Sequence, residues 1–428
     1  MKRIILYFAG VVALGSLSAC GKVGANSGAK PTSFTLTANS ATDHKLNRLK
    51  SVAEANPKSA KAYNELGSAL MQKGRETNEL DWYDRARSAF EKASQIDPKD
   101  SASLRNLAWA WTMYHDFPEA IKYAKRAIAI DPGDHLAYGV LVDSNLELGR
   151  YPRAVEAAQK MVDLRPGLAS YSRASQIRWI HGDVKGAIWM MQRALEAGGP
   201  YAENSAWART QLGDMYFKSG NTRAAEQEYE AVRATMPEYR HALAGMARVR
   251  STQAKFPEAI RLWQKAMRGR PNITYVIELG DLYTKLGEKE SAERQYARVE
   301  ELIAEHTAHG IGGDELIQAM YYLDRNISTD KALELARSEI EHHTTVQAYT
   351  TLAWAYHKNG KDQEATTAIA KALSMRTQDA LLYYRAARIY AAAGDAGRAK
   401  KFANFAASLN PNFHTLLADD ARRMALGK

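Results

Sequence analysis

The chain has 428 residues, 46% hydrophobic and 25% charged, with only 12 prolines. Leucine, alanine and charged residues dominate over β-branched runs, so helix is favoured and almost no sheet is expected. The formal net charge of +10, without any block of five or six consecutive Lys/Arg, argues for a generally solvated basic surface and against nucleic acid as a partner.

In chain order, Lys2 and Arg3 precede an apolar stretch from Ile4 to Leu14 that closes on Leu17-Ser18-Ala19-Cys20. A positive start, an apolar stretch too short to span a bilayer and a small-residue close form the pattern of a secretory signal. The closing quartet resembles the lipobox of bacterial lipoproteins. That resemblance implies removal of residues 1–19 and lipidation of the Cys20 thiol, with Cys20 as the new N-terminus. Loss of Lys2 and Arg3 would leave a mature charge of about +8 (10 − 2). Two or three acyl chains suffice for stable anchoring, where one does not. Gly21, a residue other than Asp after the cysteine, implies the periplasmic face of the outer membrane. The alternative is an ordinary signal cleaved near Ala19, with Cys20 left as a free thiol. It is the sole cysteine, so no intramolecular disulfide and no thiolate metal site is expected. Residues 20–42, rich in Gly, Ala, Ser, Thr and Asn and containing Pro31, read as a flexible tether.

Beyond the tether, prolines recur at a fixed interval: Pro98, Pro132 and Pro166 are 34 apart, as are Pro237 and Pro271. A glycine followed five residues later by alanine runs in step, at Gly149/Ala154, Gly182/Ala187, Gly220/Ala225, Gly287/Ala292, Gly360/Ala365 and Gly394/Ala399. Periods of this length mark repeat architectures. First helices read as Leu212-Gly213-x-x-Tyr216, Leu279-Gly280-x-x-Tyr283 and Tyr349-x-x-Leu352-Ala353-x-x-Tyr356. Second helices read as Ala120-x3-Ala124-x2-Ala127 and Ala259-x3-Trp263-x2-Ala266.

These motifs resemble the tetratricopeptide family. The resemblance implies an all-α fold, a right-handed α-solenoid of about ten helix-turn-helix units. Small residues at the eighth and twentieth places let two helices approach, while large ones at the fourth, seventh, eleventh and twenty-fourth fill the space between. The marker alanines 86, 120, 154, 187, 225, 259, 292, 332, 365 and 399 count ten units. The first carries about seven extra residues within Arg75–Tyr83. The fifth starts late after Gly198-Gly199-Pro200. The eighth lacks both glycine and proline, and Gly310-Ile311-Gly312-Gly313 ahead of it predicts a bend. The solenoid is assigned to 43–412, opening with a helical stretch at Asp43–Asn56. Residues 413–428 are assigned to a C-terminal capping helix, such end caps keeping a repeat stack soluble.

No Walker-type phosphate cradle and no Gly-x-Ser-x-Gly elbow is present, so no enzyme and no cofactor is expected. Glu305-His306-x-x-His309 and His342-His343 have metal-ligand spacing. Surface histidines of a helix-rich protein account for both, and no metal is expected. In the family the first helix of each unit lines a concave groove. Carried onto this sequence, the groove positions are Arg105, Trp109, Asp143, Trp179, Trp207, Asp214, Phe217, Arg248, Asp281, Tyr321, Trp354, Tyr384 and Arg388. Aromatic and arginine side chains dominate interface energetics. Trp111 and Trp263 fall on core places instead. The expected function is therefore a lipid-anchored scaffold binding a peptide segment or protein partner in its groove at the bacterial cell envelope. The alternative is an envelope-biogenesis factor that binds peptidoglycan or another polysaccharide.

Overall fold

The computed structural model describes residues 41–77, 80–199, 202–269, 271–308 and 314–427. Signal segment, Cys20 and nearly all of the tether lie outside them, as do His309, Pro200 and the Gly310–Gly313 bend. Helix α1 (Ala41–Ala55) stands ahead of α2 (Ala60–Thr77), α3 (Leu80–Ile96), α4 (Ser101–Met113), α5 (Phe117–Ile130), α6 (His135–Glu147) and α7 (Tyr151–Leu164). There follow α8 (Leu168–Ile180), α9 (Val184–Ala197), α10 (Ala202–Lys218), α11 (Thr222–Thr235), α12 (Arg240–Thr252), α13 (Phe256–Ala266) and α14 (Ile273–Leu286). The chain continues through α15 (Lys289–Ala308), α16 (Glu315–Arg325), α17 (Thr329–His342), α18 (Val346–Lys358), α19 (Asp362–Ser374), α20 (Ala380–Ala392), α21 (Ala396–Leu409) and α22 (Ala418–Ala425). From α2 to α21 these are ten antiparallel pairs, with one helix at each end, and no strand occurs among the described residues.

Local chemistry sets the boundaries. Pro98 and Pro132 cannot continue the helices before them. Asp100 and Asp134, two residues later, accept from the free amides of Ala102 and Ser103, and of Leu136 and Ala137, at the next helix start. Asp183, Asn221 and Asp395 cap second helices in the same way. Among the described residues, the turns between paired helices from the second pair onward take a residue into the left-handed region, His115 and Ala254 in the second and sixth pairs. Gly149, Gly182, Gly220, Gly287, Gly360 and Gly394 fill this place elsewhere, and in the eighth pair Asn326 takes it (φ 58°). The extra residues of the first unit go into helix: α2 and α3 have 18 and 17 residues against 13 and 14 in α4 and α5.

All ten marker alanines are buried, and they pass the close crossing within each pair. The eighth-place glycines face twenty-fourth-place rings. A Cβ on Gly67 would lie 2.5 Å from the Phe90 ring and one on Gly213 2.6 Å from that of Tyr229. Large side chains therefore fill what small ones vacate, at the density of a close-packed core. The core runs the length of the stack as successive apolar clusters, each spanning neighbouring pairs. At the C-terminus the structure differs from expectation. Residues 410–417 form turns, and α22 has only eight residues.

The superhelix closes on itself. Thr344 Oγ1 donates to the Leu148 carbonyl (3.3 Å) and the Val346 amide to Tyr151 Oη (3.0 Å). Thr377 Oγ1 donates to the Ile180 carbonyl, Gln378 Nε2 to that of Gly182 (3.1 Å) and Asn410 Nδ2 to that of Phe217 (2.8 Å). These partners are 193 to 197 residues apart, so one superhelical turn takes just under six 34-residue units. Val346 and Met375 also pack into the apolar cluster of Leu146, Tyr151 and Ile177. Turns of the third to fifth pairs thus form a seam with the loops that follow the eighth to tenth.

Candidate functional site

First helices line the inside of this closed superhelix, around a cavity of about 700 Å³. Six of the groove residues expected from sequence lie on its wall: Trp179, Asp214, Phe217, Arg248, Asp281 and Tyr321. Arg105 and Trp109 lie apart from it, on a small depression beside Arg173. Trp207 is half-buried against the apolar cluster around Met191 and Leu212. Trp354, Tyr384 and Arg388 do not reach the cavity wall, and they hold residues that do or that neighbour it. Trp354 Nε1 donates to Asp324 (2.9 Å), a wall residue. Tyr384 and Arg388 both bind Asp420, at 2.9 and 3.1 Å. Of the two tryptophans assigned to core, Trp263 is buried yet edges the cavity under the Arg248 guanidinium. Trp111 is half-buried beneath Arg87.

The polar wall residues are engaged with one another. Arg248 makes a two-pronged contact with Glu278, both bonds 2.7 Å, and lies 3.7 Å from Asp214. Burial works against its charge, but Glu278 and Asp214 more than offset this and hold its pKa well above the ordinary guanidinium value. Arg173 forks onto Asp143 at 2.8 and 2.6 Å, both side chains buried. Arg325 pairs with Asp281 and lies 3.2 Å over the Tyr296 ring. Arg385 binds Asp324 (2.9 Å) and Arg105 binds Asp134 (3.0 Å). Several expected partner-binding residues therefore spend their hydrogen-bonding capacity on the neighbouring unit.

Three of these contacts share a spacing. Asp143/Arg173, Arg248/Glu278 and Asp324/Trp354 are each 30 residues apart. In a 34-residue repeat, position i+30 sits one helical turn before the equivalent of i on the next first helix, which places both side chains at the same height on adjacent helices. Charge complementarity at i, i+30 is thus a signal in the sequence that points to Glu278 and Arg173, and a donor facing a carboxylate at the same spacing points to Asp324. Nothing comparable marks Arg385 or the C-terminal residues Phe413, His414 and Asp419, which also line the cavity.

The cavity's remaining titratable feature lies at the seam. Burial pushes the Glu147 carboxyl up to about 7, and the carboxylates of Asp143 and Glu339 add to the shift against an opposing effect of His343. His343 was expected on the surface. It is buried, its Nδ1 2.9 Å from Glu339, its ring edge-on to Phe117. Beside it His115 is pushed down to about 3 by burial and by His343. Among the described residues no group of three or more His, Cys, Asp or Glu side chains is arranged to hold a metal ion. His306 contacts Asp314 instead.

Comparison with known proteins agrees with this architecture. Models of the tetratricopeptide repeat match residues 46–95, 83–135 and 115–169, and again 346–379. Small glutamine-rich tetratricopeptide repeat-containing protein 2 of Mycosarcoma maydis is 37% identical over 84 residues, 20% of this chain and 24% of that protein. Cellulose synthase 1 operon protein C of Komagataeibacter xylinus is 26% identical over 199 residues, 46% of this chain and 13% of that protein. The chain thus spans a quarter or less of the length of these curated relatives. Among solved structures, the human IFIT1 dimer with PPP-AAAA superposes with a TM-score of 0.52 at 15% identity, over 77% of each chain, a likeness of fold alone. The chain carries tetratricopeptide repeats, and its fold is the all-α, right-handed solenoid that such repeats build.

Proposed function

We infer that the protein is a scaffold that takes a peptide segment of a partner protein into the interior of its superhelix. The observation that carries this reading is the open cavity inside the superhelix, walled by aromatic and aliphatic side chains from successive first helices, with most of its arginines already paired to carboxylates. Six cationic wall residues, Lys218, Arg248, Lys285, Arg325, Arg385 and Arg422, face seven anionic ones, Glu147, Asp214, Glu278, Asp281, Asp324, Asp379 and Asp419. A polyanion would meet a carboxylate for every guanidinium, which argues against nucleic acid. An extended or helical peptide, mixed in polarity, suits such a wall.

The lipobox-like quartet supports anchoring through Cys20 at a bacterial membrane, and Gly21 after it supports the periplasmic face of the outer membrane. Among the described residues no helix is long and apolar enough to cross a bilayer. Exchange of Cys20 for Ser should then move the protein out of the membrane fraction. The similarity to a cellulose synthase operon protein favours a second reading, binding of an envelope polysaccharide. Salt-sensitive retention on cell-wall material would support that reading over the first.

The test of the peptide reading is a photoreactive amino acid placed at Met320, on the cavity wall, and separately at Trp189, 54% exposed. A defined adduct from position 320 in intact cells and none from 189 is the expected result. Adducts from 189 alone would remove the cavity from the function.

A further inference from the structure

The C-terminal segment does more than cover the last helix. After α21 it crosses the mouth of the superhelix, and Phe413, Leu416 and Leu417 contribute apolar wall to the cavity. Phe413 packs on Tyr384 with ring centres 5.8 Å apart. On the far side, Lys285 of α14 donates to the Thr415 carbonyl (3.2 Å) and pairs with Asp419 (3.5 Å). On the near side, Asp420 accepts from Tyr384 and Arg388 of α20. One short segment therefore bridges the seventh and tenth units across the interior.

Its hold is light. An eight-residue helix is marginal without tertiary support. Lys285, Asp419 and Arg388 are 38, 50 and 44% exposed, and ion pairs so exposed to solvent contribute little. We propose that residues 410–426 are a self-ligand, seated where a partner's segment docks, and that the partner segment shares its chemistry: bulky apolar residues followed by two adjacent acidic ones. This rests on the peptide-binding reading above. The reason is satisfaction of what displacement uncovers. An incoming segment has to refill the apolar wall left by Phe413 and Leu417, and to return carboxylates to Lys285 on one side and to Tyr384 and Arg388 on the other, since groups left unpaired would cost binding energy. Tethered through α21, the native tail is presented at an effective concentration of roughly millimolar order, so only a better-matched segment displaces it.

The test uses the full chain and a fluorescent synthetic peptide of residues 410–426. A chain with Phe413→Ala, Asp419→Asn and Asp420→Asn changes only the part of the wall that the tail itself supplies and leaves the side chains of the first helices as they are. It should bind the peptide at least about tenfold more tightly than the unaltered chain, with helical circular dichroism unchanged. A peptide with both aspartates exchanged for lysine should lose binding. If the altered tail impairs folding, Lys285→Glu in the chain provides the second route: it should weaken the native peptide, and a peptide with Asp419→Lys should restore affinity. Equal affinity for altered and unaltered chains, or equal binding of the lysine peptide, would overturn the proposal. Adducts at position 320 that form equally in both chains would overturn it while leaving the peptide reading standing, whereas a chain that captures no segment at position 320 in either form loses both.

Discussion

Gly182, in the turn of the fourth helix pair, lies against the carbonyl oxygen of Arg376, in the loop after the ninth. A Cβ at Gly182 would overlap that oxygen. Gly149 meets the Thr344 backbone and Gly220 the Leu409 carbonyl, where a Cβ would lie at 2.5 and 2.7 Å. At Gly287, Gly360 and Gly394 a Cβ would touch nothing. One repeat position thus has two duties: all six glycines take a positive φ, and three also let the superhelical turns approach.

The difference is measurable. Gly360→Ala should cost only backbone strain, about 1 kcal/mol. Gly182→Ala carries the same strain and also drives the seam apart. Denaturant titration should rank Gly182→Ala as the more destabilising, and small-angle scattering should show an enlarged radius of gyration for it alone. Indistinguishable scattering from the two variants would mean that the seam does not set the shape.

Asp143 lies inside the stack as the counterion of Arg173. Removing one member of a buried pair leaves the other charged and desolvated. Asp143→Ala should therefore destabilise by about 3–5 kcal/mol. Asp143→Ala with Arg173→Met should recover most of that loss, as read by chemical denaturation. A double variant no better than the single would show that the pair is solvated in solution.

Glu147 gives the seam a pH dependence of definite sign. Its carboxyl titrates near 4.5 unfolded and about 7 folded, so the fold prefers the neutral form. Stability from this group is complete below 4.5 and is lost as pH rises through 7, with a slope of at most about 1.4 kcal/mol per pH unit. Glu147→Gln keeps the neutral shape at all pH values. It should match the unaltered chain at pH 4 to 5 and exceed it in denaturant midpoint at pH 8.

His115 acts in the opposite direction. Its imidazole titrates near 6.5 unfolded and about 3 folded, so its contribution is present above 6.5 and is lost as pH falls toward 3. His115 has φ 57°, which Asn tolerates, so His115→Asn removes the titration without forcing the turn. The variant should lose less stability between pH 6.5 and 4 than the unaltered chain, by up to about 1.4 kcal/mol per pH unit. Identical acid limbs in thermal melts would place the acid sensitivity elsewhere, with the buried His241, pushed down to about 4, the next residue to test.

Much of the wall was legible in the sequence through register alone. Trp179, Asp214, Phe217, Arg248, Asp281 and Tyr321 reach the cavity because a first helix presents the same face in every unit. Asp143, Tyr384 and Arg388 stand at equivalent places yet serve other residues, because the role of a groove position depends on what stands 30 residues away or at the chain's end. His343 read as a surface histidine because its sequence neighbours are polar. Its burial comes from Phe117, more than two hundred residues earlier.

The number of helix pairs, their turns, their caps and the small-against-large packing between them follow from the sequence, because each depends on residues within about one 34-residue period. Closure of the superhelix is of another kind. It arises from small rotations between successive units that add up over nearly six of them, and no single residue encodes that sum. Only the tertiary structure therefore brings Gly182 to Arg376, shapes the cavity and sets the C-terminal segment across its mouth.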